Sequence, residues 1–439
     1  STINNGWLVI ENDKIIDFGE MNNWQGIEDW NNTEIIDANN GIVMPTWCDS
    51  HTHIVYAGDR VNEFIDRING LSYEEIAKNG GGILNSAKLL SETDENTLFK
   101  QSAKRLEKLI QLGTGAIEIK SGYGLNTKDE IKMLRVIKML KEKYPIEIKA
   151  TFLGAHATPN NISQEKYTQL IINEMIPEIS KQNLADYIDV FCDKGFFTED
   201  ETDRILHAGI KHGLKPKIHA NELAFSGGIQ VGVKHNAISV DHLQFTSEKE
   251  IELLKNSNTI PTLLPGTAYF LGLKYPPARL MIESGLPVAL ASDFNPGSCP
   301  SGNMSLIMSL ACTQMKMNPN EAFNAVFTFA VSVTSALASI ASSFVLSPFA
   351  KAPSEGCSCT FVPSTAMTPA DTLVIVVSLA CPNSIPVNCG ELPVPTPIDV
   401  LKVAPLSATG SVVPSPTIIS PSANTDIAVI APVPEPNNT

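Results

Sequence analysis

None of the eight cysteines, at 48, 192, 299, 312, 357, 359, 381 and 389, stands in a Cys-x-x-Cys pair, which excludes a zinc ribbon and a thioredoxin-type redox motif. Free thiols in a reducing compartment follow. No Gly-x-Gly-x-x-Gly follows the first strand of the main pattern, which speaks against dinucleotide binding. Basic residues are few: 32 Lys and Arg stand against 47 Asp and Glu, a net charge of -15. Nucleic acid and anionic membrane both need basic patches, so neither is expected as a partner. The first twenty residues, from Ser-Thr-Ile-Asn-Asn onward, have no basic start and no long apolar core. No secretory signal is expected, and the cytoplasm is the default location.

What is present is enough apolar material for one large core, 439 residues at 43% hydrophobic. A soft prior of roughly 150 residues per domain suggests about three units, but barrels of alternating strands and helices run to about 250 residues as one. From Trp47 onward, short β-branched or apolar runs alternate with longer charged segments of helical period. Eight runs can be counted: Trp47 to His51, Ala116 to Lys120, Ile146 to Phe152, Tyr187 to Cys192, Lys215 to His219, Ala237 to His242, Thr259 to Leu264 and Pro287 to Ser292. Helix starts lie between them at Ser72 with Glu75, Thr127 with Glu130, Thr198 with Glu201 and Ser247 with Glu250. Each pair reads as a capping box, in which the first side chain and the residue three on satisfy each other's orphan amides. The fold class expected is α/β, a (β/α)8 barrel over residues 41–328 rather than an open doubly wound sheet.

Ahead of the barrel, Gly6 to Gly19 reads as a hairpin turning at Asn12-Asp13. A lone hairpin is marginal in water, so residues 1–40 are expected to join a small β-sandwich domain built from flanking segments. A further strand is expected upstream of Ser1.

The run Ile42-Val43-Met44-Pro45 leads to Asp49-Ser50-His51-Thr52-His53, so a strand ends in a His-x-His pair. Residues two apart on a strand share a face, and both imidazoles can reach one metal ion. In such barrels chemistry sits at the C-terminal ends of the strands. His51 and His53 end the first strand, His156 follows the third, His219 ends the fifth, His242 ends the sixth and Asp293 follows the eighth. His207, His212 and His235 fall outside this set and read as surface histidines. His51, His53, His219 and Asp293 offer three nitrogens and one oxygen with room for a water, the pattern of a catalytic site. A two-metal site of this architecture has a modified lysine at the end of the fourth strand, but that strand reads Tyr187-Ile-Asp-Val-Phe-Cys-Asp193. One metal ion is expected, with Lys120, at the end of the second strand, as a buried ion-pair partner.

With these features the chain resembles the amidohydrolase superfamily, and within it the imidazolonepropionase family of histidine degradation. The resemblance runs from about residue 6 to about residue 326. It rests on Ala57-Gly58-Asp59-Arg60 with Glu63-Phe64, Gly80-Gly81-Gly82-Ile83, Lys120-Ser121-Gly122-Tyr123-Gly124-Leu125, Phe152-Leu153-Gly154-Ala155-His156 and Ser292-Asp293-Phe294-Asn295-Pro296-Gly297-Ser298. It implies zinc or iron on His51, His53, His219 and Asp293. It also implies Arg60, Tyr123, His156 and Glu222 on an imidazolone, with Asn295, Gly297 and Ser298 lining the pocket. Thr46 departs from the glycine usual in the superfamily at the entry to the first strand.

The residues support those roles on their own chemistry. A guanidinium makes two parallel bonds to a carboxylate, so Arg60 suits an anionic small molecule with a propionate tail. Tyr73 is a second candidate for the same pocket. A metal lowers the pKa of its water to about 7, which supplies hydroxide for attack on a cyclic amide carbonyl. His242 is the expected base for the water proton, with Asp293 the competing candidate. Glu222 is expected to hold or protonate the ring nitrogen as the C–N bond opens. The expected reaction converts 4-imidazolone-5-propanoate to N-formimino-L-glutamate. Its rivals are a deaminase acting on a related heterocycle and a catalytically dead metal-binding protein, and a homodimer is the assembly to test.

Beyond about residue 326 the resemblance stops. From Phe329 to Thr439 there is no arginine, the lysines are Lys351 and Lys402, and 16 of the 29 prolines fall there. Pro393, Pro395, Pro397, Pro432, Pro434 and Pro436 oppose regular helix and central strand locally. The family would return here with strands for its small β-domain. The abrupt change of residues 329–439 is the signature of a shifted reading frame, with a Pro/Ser/Thr-rich disordered tail as the alternative. Residues 322–350 lack charge, but their serines, threonines and Asn324 speak against a membrane span.

Overall fold

The computed structural model describes residues 2–327, except 12–13, 27–32, 39–40, 72–74 and 77–80, together with the strands Phe344–Ser347 and Thr372–Val376. Before the barrel come β1 (Gly6–Glu11), β2 (Lys14–Glu20), β3 (Thr33–Asp37) and β4 (Ile42–Pro45). The barrel strands are β5 (Trp47–Thr52), β6 (Thr114–Lys120), β7 (Glu147–Ala155), β8 (Tyr187–Cys192), β9 (Lys215–Ala220), β10 (Ser239–His242), β11 (Ile260–Leu263) and β12 (Ala289–Leu290). After it come β13 (Phe344–Ser347) and β14 (Thr372–Val376). The chain divides into units Ser1–Cys381 and Pro382–Thr439.

All eight expected runs are strands, paired in parallel in chain order from β5 to β12. The seam between the first and last closes just beyond β12. Asp293 N–H donates to His51 O at 3.0 Å and His53 N–H to Phe294 O at 2.9 Å. Asp49 clips the same seam, accepting from Ser292 N at 2.9 Å and Ser292 Oγ at 2.5 Å. With helices between the strands, this is a (β/α)8 barrel. Its closure brings the end of the first strand against the end of the last.

Hydrophobic packing between strands and helices carries the fold. Leu90, Leu98, Leu106, Leu134, Val136, Phe152, Ile188, Ile218, Val240 and Met281 are fully buried. Each such side chain is worth about 1.5–3 kcal/mol relative to exposure. Thr46 enters β5 with its side chain over Gly115 of β6, where a Cβ would collide with it. The departure from the superfamily's glycine is thus accommodated by a glycine on the next strand.

Two of the expected capping boxes form, at Thr198 with Glu201 and at Ser247 with Glu250. A third, at Asn318 with Glu321, also forms. Ser72 and Tyr73 lie outside the described residues. Thr127 is not the cap of its helix: Asn126 is, accepting from Asp129 N at 2.9 Å. The reason is that Glu130 is spent elsewhere, on the amides of Gly122, Gly124 and Leu125 at 3.0, 2.7 and 2.9 Å.

The turn at residues 12–13 lies outside the described residues, but β1 and β2 pair antiparallel as expected of a hairpin. The later segment differs from the sequence reading, because it does return strands. β14 lies between β1 and β3 in a sheet of order β2-β1-β14-β3, and β13 pairs with β4. The β-branched run Thr372-Leu-Val-Ile-Val376 offers a strand whatever the composition around it.

Candidate active site

The expected site residues converge at the C-terminal mouth of the barrel. His51 Nε2, His53 Nε2 and Asp293 Oδ1 form a triangle with sides of 3.3, 3.4 and 3.5 Å. A tetrahedral ion bound at about 2.0–2.1 Å holds its ligands roughly 3.3–3.4 Å apart, so these atoms fit a metal ion. His51 Nδ1 donates to Asp241 Oδ2 at 2.7 Å, which leaves the Nε2 lone pair facing the triangle. The buried His53 Nδ1 has no hydrogen-bond partner among the described residues. His219 joins His51 in a second group with His242, so His51 is common to two sets of potential ligands. His219 therefore stands beside His51, their rings 4.4 Å apart, rather than closing a ring with His53 and Asp293.

A layer of buried charge lies beneath these rings. His219 Nδ1 is 2.9 Å from Asp189 Oδ2, a second ring nitrogen set against a buried carboxylate like the His51–Asp241 pair. Lys120 Nζ lies 2.7 Å from Glu118, 2.8 Å from Asp189 and 4.0 Å from Asp241. Lys217 Nζ lies 3.5 Å from Glu118 and 3.4 Å from Asp241 and donates to Ser50 O at 3.1 Å. Lys120 is thus an ion-pair partner, as expected. Asp189, Asp241, Glu118 and Lys217 escaped sequence reasoning. The available signal was a charged residue inside an otherwise apolar strand, in step with the inward-facing positions: Glu118 with Lys120, and Lys217 with His219.

Loops above the rings bring in the remaining candidates. The Glu130 carboxylate gathers the amides of residues 122–125 and so shapes the loop that carries Tyr123. His156 Nδ1 donates to Gly122 O at 3.0 Å, and the ring stacks on His53 with centroids 5.3 Å apart. Tyr123 lies 6.1 Å from His53. Asp193 Oδ2 accepts from Glu222 N at 2.7 Å and Leu223 N at 2.9 Å, fixing the turn after β9. That turn leaves Glu222 Oε2 3.6 Å from His242 Nδ1.

Asn295 organises the last loop, accepting from Gly297 N and Ser298 N at 2.8 Å each and donating to Asp293 O at 2.7 Å. Ser298 Oγ reaches Asp293 Oδ2 at 3.5 Å, and Thr267 Oγ1 does so at 2.5 Å. Gly297 lies against Arg60, whose guanidinium a Cβ at 297 would overlap. His242 and Asp293 hold positive φ angles of 84° and 57°, and Asn221 and Leu125 beside the site hold 55° and 53°. Non-glycine residues in this region are strained, and such strain clusters at functional sites.

Burial sets the protonation states. It lowers the His51 ring well below its ordinary value, with Lys120 and His219 adding to the effect. It lowers His219 to about 4 against the pull of Asp189, and it lowers His156 as well, helped by His53. These rings are neutral at pH 7, the form that binds metal. Burial would raise Asp293, but its bond to His53 and the charge of His242 hold it well below the usual carboxylate range. Burial pushes the Glu222 carboxyl up to about 7, opposed by His242 and reinforced by Asp293.

Barrel, seam and histidine cluster define the class as a (β/α)8 barrel with a candidate metal site at its C-terminal mouth. Among solved structures the fold is similar to guanine deaminase from C. acetobutylicum, at TM-score 0.56 and 18% identity over 75% of this chain and 82% of that one. It is also similar to 5-methylcytosine deaminase from Klebsiella pneumoniae, at TM-score 0.56 and 14% identity over 73% and 81%. At such identities only the fold is shared. No family model matches the chain.

Curated relatives are much nearer. The imidazolonepropionase of Christiangramia forsetii is 57% identical over 326 residues, 74% of this chain and 79% of the relative. That of Flavobacterium johnsoniae is 58% identical over the same shares, and that of Alkaliphilus oremlandii is 42% identical over 327 residues. The chain belongs to the imidazolonepropionase family and is a hydrolase. Among the described residues no helix is long and apolar enough to cross a membrane.

Proposed function

We propose that the protein opens the ring of 4-imidazolone-5-propanoate by adding water across its cyclic amide C–N bond, giving N-formimino-L-glutamate. The observation that carries this reading is the loop from Asp293 to Ser298, which joins the two halves of the site. One end contributes Asp293 to the histidine cluster and the other lays Gly297 against Arg60. One turn thus joins the candidate metal cluster to the candidate carboxylate clamp.

The proposed metal ligands are His51, His53, His219 and Asp293, with one zinc or iron ion per chain. Such an ion supplies Lewis acidity and lowers the pKa of water to about 7. Arg60 binds the propionate, Tyr123 and His156 flank the ring, and Asn295, Gly297 and Ser298 wall the pocket. His242 takes the proton of the attacking water, with Asp293 as its rival. Glu222 gives its proton to the departing ring nitrogen, and the 3.6 Å separation from His242 lets the first proton replace the second. Glu222 is thereby restored: one proton of the water ends on the ring nitrogen, and the other stays with the new carboxyl group until it ionises to solvent.

An assay of purified protein with imidazolonepropionate, alongside elemental analysis, tests this reading. Formiminoglutamate should form without ammonia, and ammonia release would favour a deaminase instead. Metal bound without turnover would leave a metal-binding protein. Exposed Val61, Ile65 and Ile68 on the helix Val61–Ile68 support a homodimer, which sedimentation checks. Free Cys48, Cys192, Cys299 and Cys312 suit the cytoplasm.

The domains are proposed as residues 1–40 with the small β-domain, the barrel over 41–328, and a segment 329–439 from a shifted frame. The 326-residue match to relatives and the absence of arginine from Phe329 onward support the last. Resequencing the source DNA decides it, because an uninterrupted frame would remove the idea.

A further inference from the structure

We propose that Glu63 is a positioning residue for Arg60 and fixes which edge of the guanidinium meets the substrate. The inference rests on the reading of Arg60 as the carboxylate clamp. Arg60 precedes the helix Val61–Ile68, and Glu63 lies one turn on, at a spacing that puts both side chains on one face. A single oxygen, Glu63 Oε2, takes Arg60 Nε at 2.7 Å and Nη2 at 2.6 Å. The other, Oε1, takes the amide of Gly82 at 3.0 Å. Both side chains are less than a tenth exposed, at 8% and 9%, unlike an ordinary surface pair.

The consequence is geometric. A guanidinium carries five N–H donors in a rigid fork, and Glu63 occupies the side formed by Nε and Nη2. Gly297 stands where a Cβ would strike Nη1, Cζ and Nε, so its backbone packs closely against the guanidinium and confines it further. Among the described residues the end-on pair, Nη1 with the second proton of Nη2, is left for the ligand. Arg60 is also the largest charge acting on the buried Tyr123 hydroxyl, so the guanidinium lies near the ring-binding side of the pocket. Glu63 thereby links three things: the clamp, the Gly81-Gly82 turn and the loop that carries Asp293.

Only a carboxylate serves both partners. A glutamine side chain at this position would present one oxygen and one NH2 group, so either the guanidinium or the Gly82 amide would meet a donor instead of an acceptor. Glu63→Gln should raise KM for imidazolonepropionate about tenfold with kcat within about twofold, as expected when a charge-assisted contact misaligns. Arg60→Ala should raise KM by at least as much, and adding Glu63→Gln to it should change nothing further.

Turnover of all three variants, with thermal melts, decides the matter. If Arg60→Ala leaves KM unchanged, the substrate reading fails and this inference with it. If Arg60→Ala raises KM and Glu63→Gln does not, the clamp survives and the positioning role is overturned. A melting loss without a KM change, or an equal KM effect of Glu63→Gln in the Arg60→Ala background, likewise overturns it.

Discussion

In the proposed reaction Glu222 gives a proton and His242 takes one. A buried carboxyl raised to about 7 is still partly protonated at neutral pH and can act as an acid. It is competent below that value and loses its proton as pH rises through it. We expect kcat to fall above about pH 7 along a limb that Glu222→Gln removes, with kcat reduced roughly 100- to 1,000-fold. A limb unchanged in Glu222→Gln would assign the titration to another group. Gly297→Ala is a second test at this scale. Its methyl group would displace Arg60, so KM should rise while metal content stays at the parent level, read by steady-state kinetics and elemental analysis.

Among the elements, the barrel strands do more than present residues at their ends. The inward faces of β6, β8, β9 and β10 carry Glu118, Lys120, Asp189, Lys217 and Asp241, all buried beneath the histidines. Lys120→Met would leave three carboxylates with one ammonium, at a cost of about 3–5 kcal/mol measurable by denaturant unfolding. Asp241→Asn should act more locally: the amide cannot hold the His51 ring as a carboxylate does, and metal affinity should fall about 10- to 100-fold in a chelator competition. An unchanged affinity would show that Asp241 serves the lysines alone.

These same strands mark how far the sequence can be read. Alternation and apolar runs locate all eight strands, and the position of a histidine at a strand end points to the mouth. Contacts of high sequence separation are a different matter. His51 meets Asp241 across 190 residues, and nothing local to either signals the pair. Thr127 shows the opposite failure, in which a valid local motif lost to tertiary demand: the glutamate three residues on was needed by the Tyr123 loop.

At the scale of the molecule, the seam and the outer strands have separable jobs. No proposed site residue lies beyond Ser298, and the ends of the seam at His51–His53 and Ser292–Phe294 belong to the barrel itself. β14 by contrast is the only link between β1 and β3 in the described sheet, pairing five residues with each. Ending the chain after residue 327 would remove β13 and β14, expose edges of β1, β3 and β4 and leave the hairpin of β1 and β2 as a two-stranded piece, a marginal arrangement in water. Ending it after residue 381 would keep both strands. We expect the longer truncation to retain the parent melting temperature and turnover. The shorter should melt several degrees lower, as about 1–2 kcal/mol of lost pairing implies for a domain this large, while each folded molecule keeps its kcat. Equal melting temperatures for the two truncations would mean that the sheet order β2-β1-β14-β3 contributes nothing to stability. A loss of kcat at constant fold would mean that the outer strands hold the site.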